Sequence, residues 1–253
     1  MRRSLFMAAV AVVALSSAGW TVAPAVDFFP QSYAAALADP IRTDADRARD
    51  ESRHAAYTLD FAGVKPGEKV ADMIIGSGYF TRLLSAAVGP EGHVTAWQPE
   101  EFIAFQASYG DSLTAADALA NVDGIRSPIG APEFPAGLDL IFTAQNYHDL
   151  HLQPFPTDTA ASVNAAAFAA LKPGGRYVII DHDAAAGSGL GAAHTLHRID
   201  IEAVKQEVQA AGFVLDGESG VLANPEDPRT ANVFNPAIRG RTSQFMLRFR
   251  KPG

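Results

Sequence analysis

Four short stretches of the chain hold most of the residues able to do chemistry. The first is Asp72-Met73-Ile74-Ile75-Gly76-Ser77-Gly78-Tyr79-Phe80-Thr81. Spaced glycines between an apolar, β-branched run and a helix let a ligand approach the backbone and the N–H groups of the helix start. The second stretch is Asn146-Tyr147-His148-Asp149 with His151, and the third is Asp181-His182-Asp183. A histidine beside a carboxylate can take up and hold a proton. That makes His148 the candidate general base, with Asp149 or Asp181 to orient its ring. His148, His151 and His182, with the acids around them, also offer nitrogen and oxygen ligands to a metal. Their spacing fits no metal motif, and no metal is assigned to them. The fourth group is basic: His194, His197 and Arg198, followed by Arg229, Arg239 and Arg241. In an acidic chain it can greet an anionic substrate, although bonds to backbone carbonyls are the plainer use of such side chains.

Two classes of chemistry are disfavoured at once. A dinucleotide site requires G-x-G-x-x-G and an acid closing the next strand. Here Thr81 stands at the third glycine position and Gln98 where the acid belongs, which argues against a nicotinamide dehydrogenase. The chain has no cysteine, so thiol nucleophiles, thiolate zinc sites, iron–sulfur clusters and disulfides are excluded.

These residues must be positioned by alternating strands and helices. Strands are expected at Lys69–Ile75, His93–Trp97, Gly124–Arg126, Leu138–Thr143, Tyr177–Ile180, Phe213–Ser219 and Gln244–Arg250. Helices are expected over Thr43–Tyr57 with Thr43 or Asp44 as cap, and over Tyr79–Val88. Others follow at Pro99–Ser108 with Pro99 in the first position, Leu113–Ala120, Asp158–Leu171 and Asp200–Ala211. Strands that alternate with helices imply a parallel sheet covered on both faces. The last two strands have no convincing helix between them, which implies an antiparallel hairpin at one edge. In such a sheet ligands bind at the carboxyl ends of the strands. The glycine turn and both His/Asp stretches lie there. Trp97 and Phe80 read as core residues.

The glycine turn resembles motif I of the class I S-adenosylmethionine-dependent methyltransferases: an acid, spaced glycines and an aromatic-rich helix start. Val64-Lys65-Pro66-Gly67 before the strand resembles that superfamily too. So do Leu138-Asp139-Leu140-Ile141-Phe142-Thr143 and Leu171-Lys172-Pro173-Gly174-Gly175-Arg176-Tyr177-Val178-Ile179-Ile180. The resemblance covers residues 55–250. It implies an α/β, Rossmann-like, seven-stranded, mostly parallel sheet with an antiparallel C-terminal hairpin, and S-adenosylmethionine as cofactor. Asp72 matches the acid that holds the cofactor's amino-acid end. Gly76, Ser77 and Gly78 match the backbone platform, with Asn146 also on the cofactor side. Gln98 stands in place of the acid that accepts the ribose hydroxyls, Ile74 in place of the first glycine, and no carboxylate follows the third strand at Ser127-Pro128-Ile129. His148, Asp149 and Asp181 are the expected catalytic group, with Tyr147 and His182 toward the acceptor. Arg47 to His54, residues 146–149, Thr195 to Asp200 and Val233 to Gly240 resemble a family of exported bacterial predicted methyltransferases.

The chain has 253 residues, 48% of them hydrophobic and 19% charged. A sizeable core can therefore be buried, and a generally disordered chain is excluded. A net charge of −8 is a poor footprint for nucleic acid, so a small-molecule substrate is expected. Met1-Arg2-Arg3, the apolar run Leu5 to Leu15 and the small residues after it read as a secretory signal peptide ending near residue 25. The remaining 26–253 read as one domain. The expected location is periplasmic, without stable membrane insertion. The alternatives are a non-catalytic ligand-binding protein on the same fold, and a metal-assisted hydrolase.

Overall fold

The computed structural model describes residues 33–253, so the expected signal peptide lies outside the described residues. Seven strands form one sheet: β1 (Lys69–Met73), β2 (His93–Pro99), β3 (Val122–Ser127), β4 (Leu138–Ala144), β5 (Leu171–His182), β6 (Val214–Ser219) and β7 (Gln244–Arg250). Their spatial order is β3-β2-β1-β4-β5-β7-β6. The pairs β1–β2, β1–β4, β2–β3 and β4–β5 are parallel, whereas β7 runs antiparallel to both β5 and β6. This is the expected Rossmann-like sheet with its C-terminal hairpin.

Side-chain alternation along the strands builds two cores, one on each face. Val70, Leu140, Phe142, Val178 and Ile180 face one way. They pack on α3 (Ala55–Ala62), α4 (Tyr79–Val88) and α6 (Ser108–Asp117) through Leu59, Leu83, Leu84, Leu113 and Ala116. Ala71, Met73, Ile141, Tyr177 and Ile179 face the other way, onto Val163 and Ala167 of α7 (Thr159–Ala170) and Val204 and Val208 of α9 (Ile201–Ala210). Trp97 is fully buried, and its indole N–H donates to Ser127 Oγ at 2.8 Å. It is a core residue, as read.

Some boundaries differ from expectation for local reasons. The first charged helix is broken. α1 (Ala34–Ala38) precedes α2 (Asp44–Arg47), which Thr43 and Asp46 close with a reciprocal capping box. Turns then run to His54, whose φ of 44° stops continuous helix before α3. Pro99 ends β2 and caps α5 (Glu100–Phe105) instead of opening it. A short α8 (Ala193–Leu196) and a 3-10 turn over His148–His151 were too brief to leave a periodic signal. Among the described residues no helix is long and apolar enough to cross a membrane.

Candidate active site

The strand order changes direction between β1 and β4, and a cavity of about 1060 Å³ opens over the carboxyl ends of the strands there. That is the place an open α/β sheet reserves for ligands. Its volume lies just above the usual range for small-molecule sites, about 300–1,000 Å³.

One wall is the glycine turn. Asp72, one residue before the end of β1, is 3% exposed yet reaches the cavity. Burial lifts its carboxyl to about 7, against a 2.6 Å hydrogen bond from the Thr81 hydroxyl and the pull of Arg53 and Arg82. Ile74 follows with φ 62°. For a β-branched residue that conformation is strained. The site holds it there: the Ile74 carbonyl accepts from Asn146 Nδ2 at 2.8 Å, and its N–H donates to the Trp97 carbonyl at 2.9 Å. At Gly76 (φ 55°) an added Cβ would meet nothing within 4 Å, so the space over the loop is open to a ligand. Ser77 lies on the same wall.

Two residues expected on this wall are elsewhere. Gly78 caps α4 at φ 74°, and an added Cβ there would strike the Arg82 guanidinium at 2.9 Å. Its glycine is needed for that turn, and it is not on the cavity wall. Gln98 is fully buried. Its Oε1 accepts from the Gly76 N–H at 3.1 Å, and its Nε2 has no partner among the described residues. The amide holds the glycine turn from beneath and cannot reach a ribose. The acid that does reach the cavity in this region is Glu101 of α5, whose Oε2 accepts from the Ile129 N–H at 2.9 Å.

Arg49 and Arg53, from the segment between α2 and α3, close the wall over the turn. Arg53 stacks on Tyr79 and Phe80 and donates to Gln145 Oε1 at 2.9 Å. Burial and the neighbouring Arg49 pull its guanidinium down to about 10, so it stays cationic at neutral pH. Arg49 lies over the same Tyr79 ring, and among the described residues it has no carboxylate partner. Sequence reasoning did not select either arginine, although Arg47 to His54 contains both.

The opposite wall is the His/Asp cluster after β4 and β5. His148 is 3% exposed. Its Nδ1 lies 2.8 Å from Asp181 Oδ1 and its Nε2 lies 3.1 Å from Asp149 Oδ1. Asp181 Oδ2 also accepts from the His148 backbone N–H at 2.7 Å. Burial favours the neutral ring, but the two carboxylates outweigh it and lift His148 to about 10. Both nitrogens face carboxylates that favour the protonated ring, which argues against His148 as the base expected of it. Asp181 is fully buried and does not line the cavity, so it positions His148. Asp149 does line it. Burial opposes its charge, but His148 and His197 hold the carboxylate below the usual range. His182 also lines the cavity. Burial pushes it down to about 4, and its Nδ1 shares a 2.8 Å hydrogen bond with the Thr242 hydroxyl.

The remaining candidates divide clearly. Asn146 faces the cavity and ties the ends of β1 and β4 together by donating to the Ile74 and Ala144 carbonyls. Tyr147, expected near the acceptor, is fully buried; its hydroxyl lies between Glu207 and Asn164 on α9 and α7. His151 joins Glu207 at 3.2 Å, away from the cluster. Arg198 is fully buried and saturated by Asp227 and the Asp183 and Ala231 carbonyls, so it greets no anion. It fixes the end of β5, His197 and the β6–β7 loop together. Arg229 pairs with Asp183. From the basic group only His197 and Arg239 reach the cavity, beside Phe234.

No protein-family model matches the chain, and neither does any curated protein. Solved structures match its fold. An S-adenosylmethionine-dependent methyltransferase from Aquifex aeolicus superposes with a TM-score of 0.54 at 20% identity, over 88% of this chain and 98% of that one. A TehB-like S-adenosylmethionine-dependent methyltransferase from Corynebacterium glutamicum gives 0.51 at 14%, over 82% and 95%. The [4+2]-cyclase SpnF gives 0.53 at 16%, over 79% and 80%. The chain has the fold of the class I S-adenosylmethionine-dependent methyltransferases. A neighbour named as a cyclase shares it, so the reaction must be argued from the site.

Proposed function

We propose that the protein transfers a methyl group from S-adenosylmethionine to a small acceptor held in the same cavity. The observation that carries this reading is one cavity with two unlike walls: an open glycine turn with a buried acid and two arginines on one side, an anionic His/Asp cluster on the other. The open space over Gly76, the Asp72 carboxyl and Arg49, which has no carboxylate partner among the described residues, fit the cofactor's amino-acid end. Asp72 would face the ammonium, and Arg49 and Arg53 the carboxylate, through charge-assisted bonds. Glu101, in place of Gln98, is the carboxylate available to ribose hydroxyls.

The cofactor, when bound, supplies a methyl group on a positively charged sulfur. This chain's own groups do the rest. Phe102 and Phe155 line the cavity with apolar surface, and Phe105 and Phe234 line it while largely exposed. Asp149, pinned by His148, is the carboxylate nearest an acceptor's proton, and neutral His182 can accept a hydrogen bond beside it. Orientation is the main contribution such a site makes. The leader-like residues 1–25 support a periplasmic location.

The test is release of the demethylated product, S-adenosylhomocysteine, when protein and S-adenosylmethionine are incubated with fractionated envelope extract. Acceptor-dependent release that is lost in Asp149→Asn supports the proposal. Absence of release from every fraction, with cofactor bound, would count against methyl transfer.

A further inference from the structure

His148, Asp149 and His197 each present one ligand atom, and these three lie within 4.8 Å of one another. Asp149 Oδ1 is 3.1 Å from His148 Nε2 and 3.8 Å from His197 Nδ1. A tetrahedral ion with bonds of about 2.0–2.1 Å sets its ligand atoms roughly 3.3 Å apart. The two separations measured from Asp149 bracket that spacing, and the two imidazoles lie within 4.8 Å of each other, so closure of the three groups around an ion is a local adjustment. All three residues line the cavity, so a fourth position would open toward whatever is bound there.

Three further observations favour an ion at this point. First, Asp181, fully buried, meets the other nitrogen of His148 at 2.8 Å. A carboxylate behind a ligating imidazole fixes the tautomer that turns Nε2 outward, and it raises the ring's basicity. Second, two carboxylates, Asp149 and Asp181, flank one buried imidazole, so an ion that replaces the ring proton would keep its charge balanced by both. Third, His197 adopts φ 54°, a left-handed conformation rare outside glycine. It is kept there from both sides: its neighbour Arg198 is locked by Asp227, and the Leu196 carbonyl accepts from the Val233 N–H at 3.1 Å. As the C-cap of α8, His197 is thus presented to Asp149 by a fixed backbone.

We infer that His148, Asp149 and His197 form a site for one divalent transition-metal ion of the zinc type, with an open position facing the acceptor half of the cavity. Two imidazoles and one carboxylate with an open position suit zinc, and also iron or cobalt. The ion would favour an acceptor carrying a hydroxyl or thiol, because a metal-bound donor loses its proton near neutral pH. This supplies the activation that a carboxylate-clamped His148 cannot give as a base. The choice of acceptor class rests on the methyl-transfer reading; the metal site itself does not.

The experiment is calorimetry of the full chain, stripped with chelator and titrated with zinc chloride alone. A parallel titration of the same preparation with S-adenosylhomocysteine is run without metal. One zinc ion per chain is expected. Affinity should fall about 100-fold in His197→Ala, whose side chain is partly exposed and whose loss leaves the fold intact by thermal melting. It should fall about 10–100-fold in Asp181→Asn, which leaves all three ligands in place, and stay unchanged in His93→Ala, an exposed histidine at the other end of the sheet. Absence of saturable zinc binding, or unchanged affinity in folded His197→Ala, overturns the metal site. Zinc binding without nucleoside binding leaves the metal site standing and defeats the methyl-transfer reading; the converse result does the reverse.

Discussion

Asp72→Asn should abolish a pH dependence of cofactor affinity that the wild-type protein shows. Burial holds the Asp72 carboxyl at about 7 in the free protein, against an ordinary value of 3.8. If it meets the cofactor's ammonium, the opposite charge returns it toward the ordinary range, and binding releases a proton. Each pH unit between the bound and free values is then worth tenfold in affinity. Affinity should rise by roughly 100-fold between pH 5 and pH 7 and then flatten. Measurements should stop near pH 7.5, because the ligand's own amino group, with a pKa of about 7.7–8.0, begins to lose its charge. The assay is calorimetry with S-adenosylhomocysteine across this range, in buffers of different ionisation heat to count the proton. The free protein should show the mirror effect. A raised folded value means that the native state binds the extra proton, so stability falls as pH rises from about 4 to about 7. The loss is at most about 4 kcal/mol for three units, and Asp72→Asn should remove it. A flat affinity profile with no proton released would refute the placing of Asp72 against an ammonium.

Three further outcomes follow from the same geometry. Arg49→Ala should weaken cofactor binding about tenfold, the worth of one charge-assisted bond, with an unchanged melting temperature; equal affinity would remove Arg49 from the site. His148→Gln, measured with chelator present, should cost about 3–5 kcal/mol because it leaves buried carboxylates without their cation. Since His148 is raised to about 10, its stabilisation is fully present below pH 6.5 and is lost as pH rises through about 10. Denaturation at pH 6 should therefore show a larger deficit for the variant than at pH 10, and an equal deficit would contradict the clamp. Gln98→Asp should not tighten nucleoside binding but should lower stability, because it puts a charge in a fully buried place beneath the glycine turn; tighter binding in that variant would mean that the side chain does reach the ligand.

The fold was legible because its signals are strong and local. The run Val70-Ala71-Asp72-Met73-Ile74-Ile75 is interrupted by one acid only, Leu138–Ala144 is mostly apolar, and Tyr79–Val88 is bounded by glycines at both ends. The site was legible as far as strand ends define it: Asp72, Gly76, Asn146, Asp149 and His182 all reach the cavity. What stayed hidden depends on side-chain direction or on distant chain. Gln98 and Tyr147 sit beside cavity residues but point into protein, and a strand end or a 3-10 turn does not announce which way each side chain goes. Arg53 meets Gln145 across 92 positions of sequence. His197 lies after a four-residue helix in a left-handed conformation, where no periodicity marks it. The histidine that joins His148 is therefore His197, and not His151, three positions along the same turn.

Titration of S-adenosylmethionine into the wild-type protein and into Gly76→Val tests the central claim most directly. Gly76 has φ 55° and open space where a side chain would project, so a valine would fill the floor of the cofactor half of the cavity. We expect saturable one-to-one binding by the wild-type chain and its loss in a Gly76→Val variant that still melts cooperatively. No binding by the wild-type protein, or equal binding by the folded variant, would contradict the account.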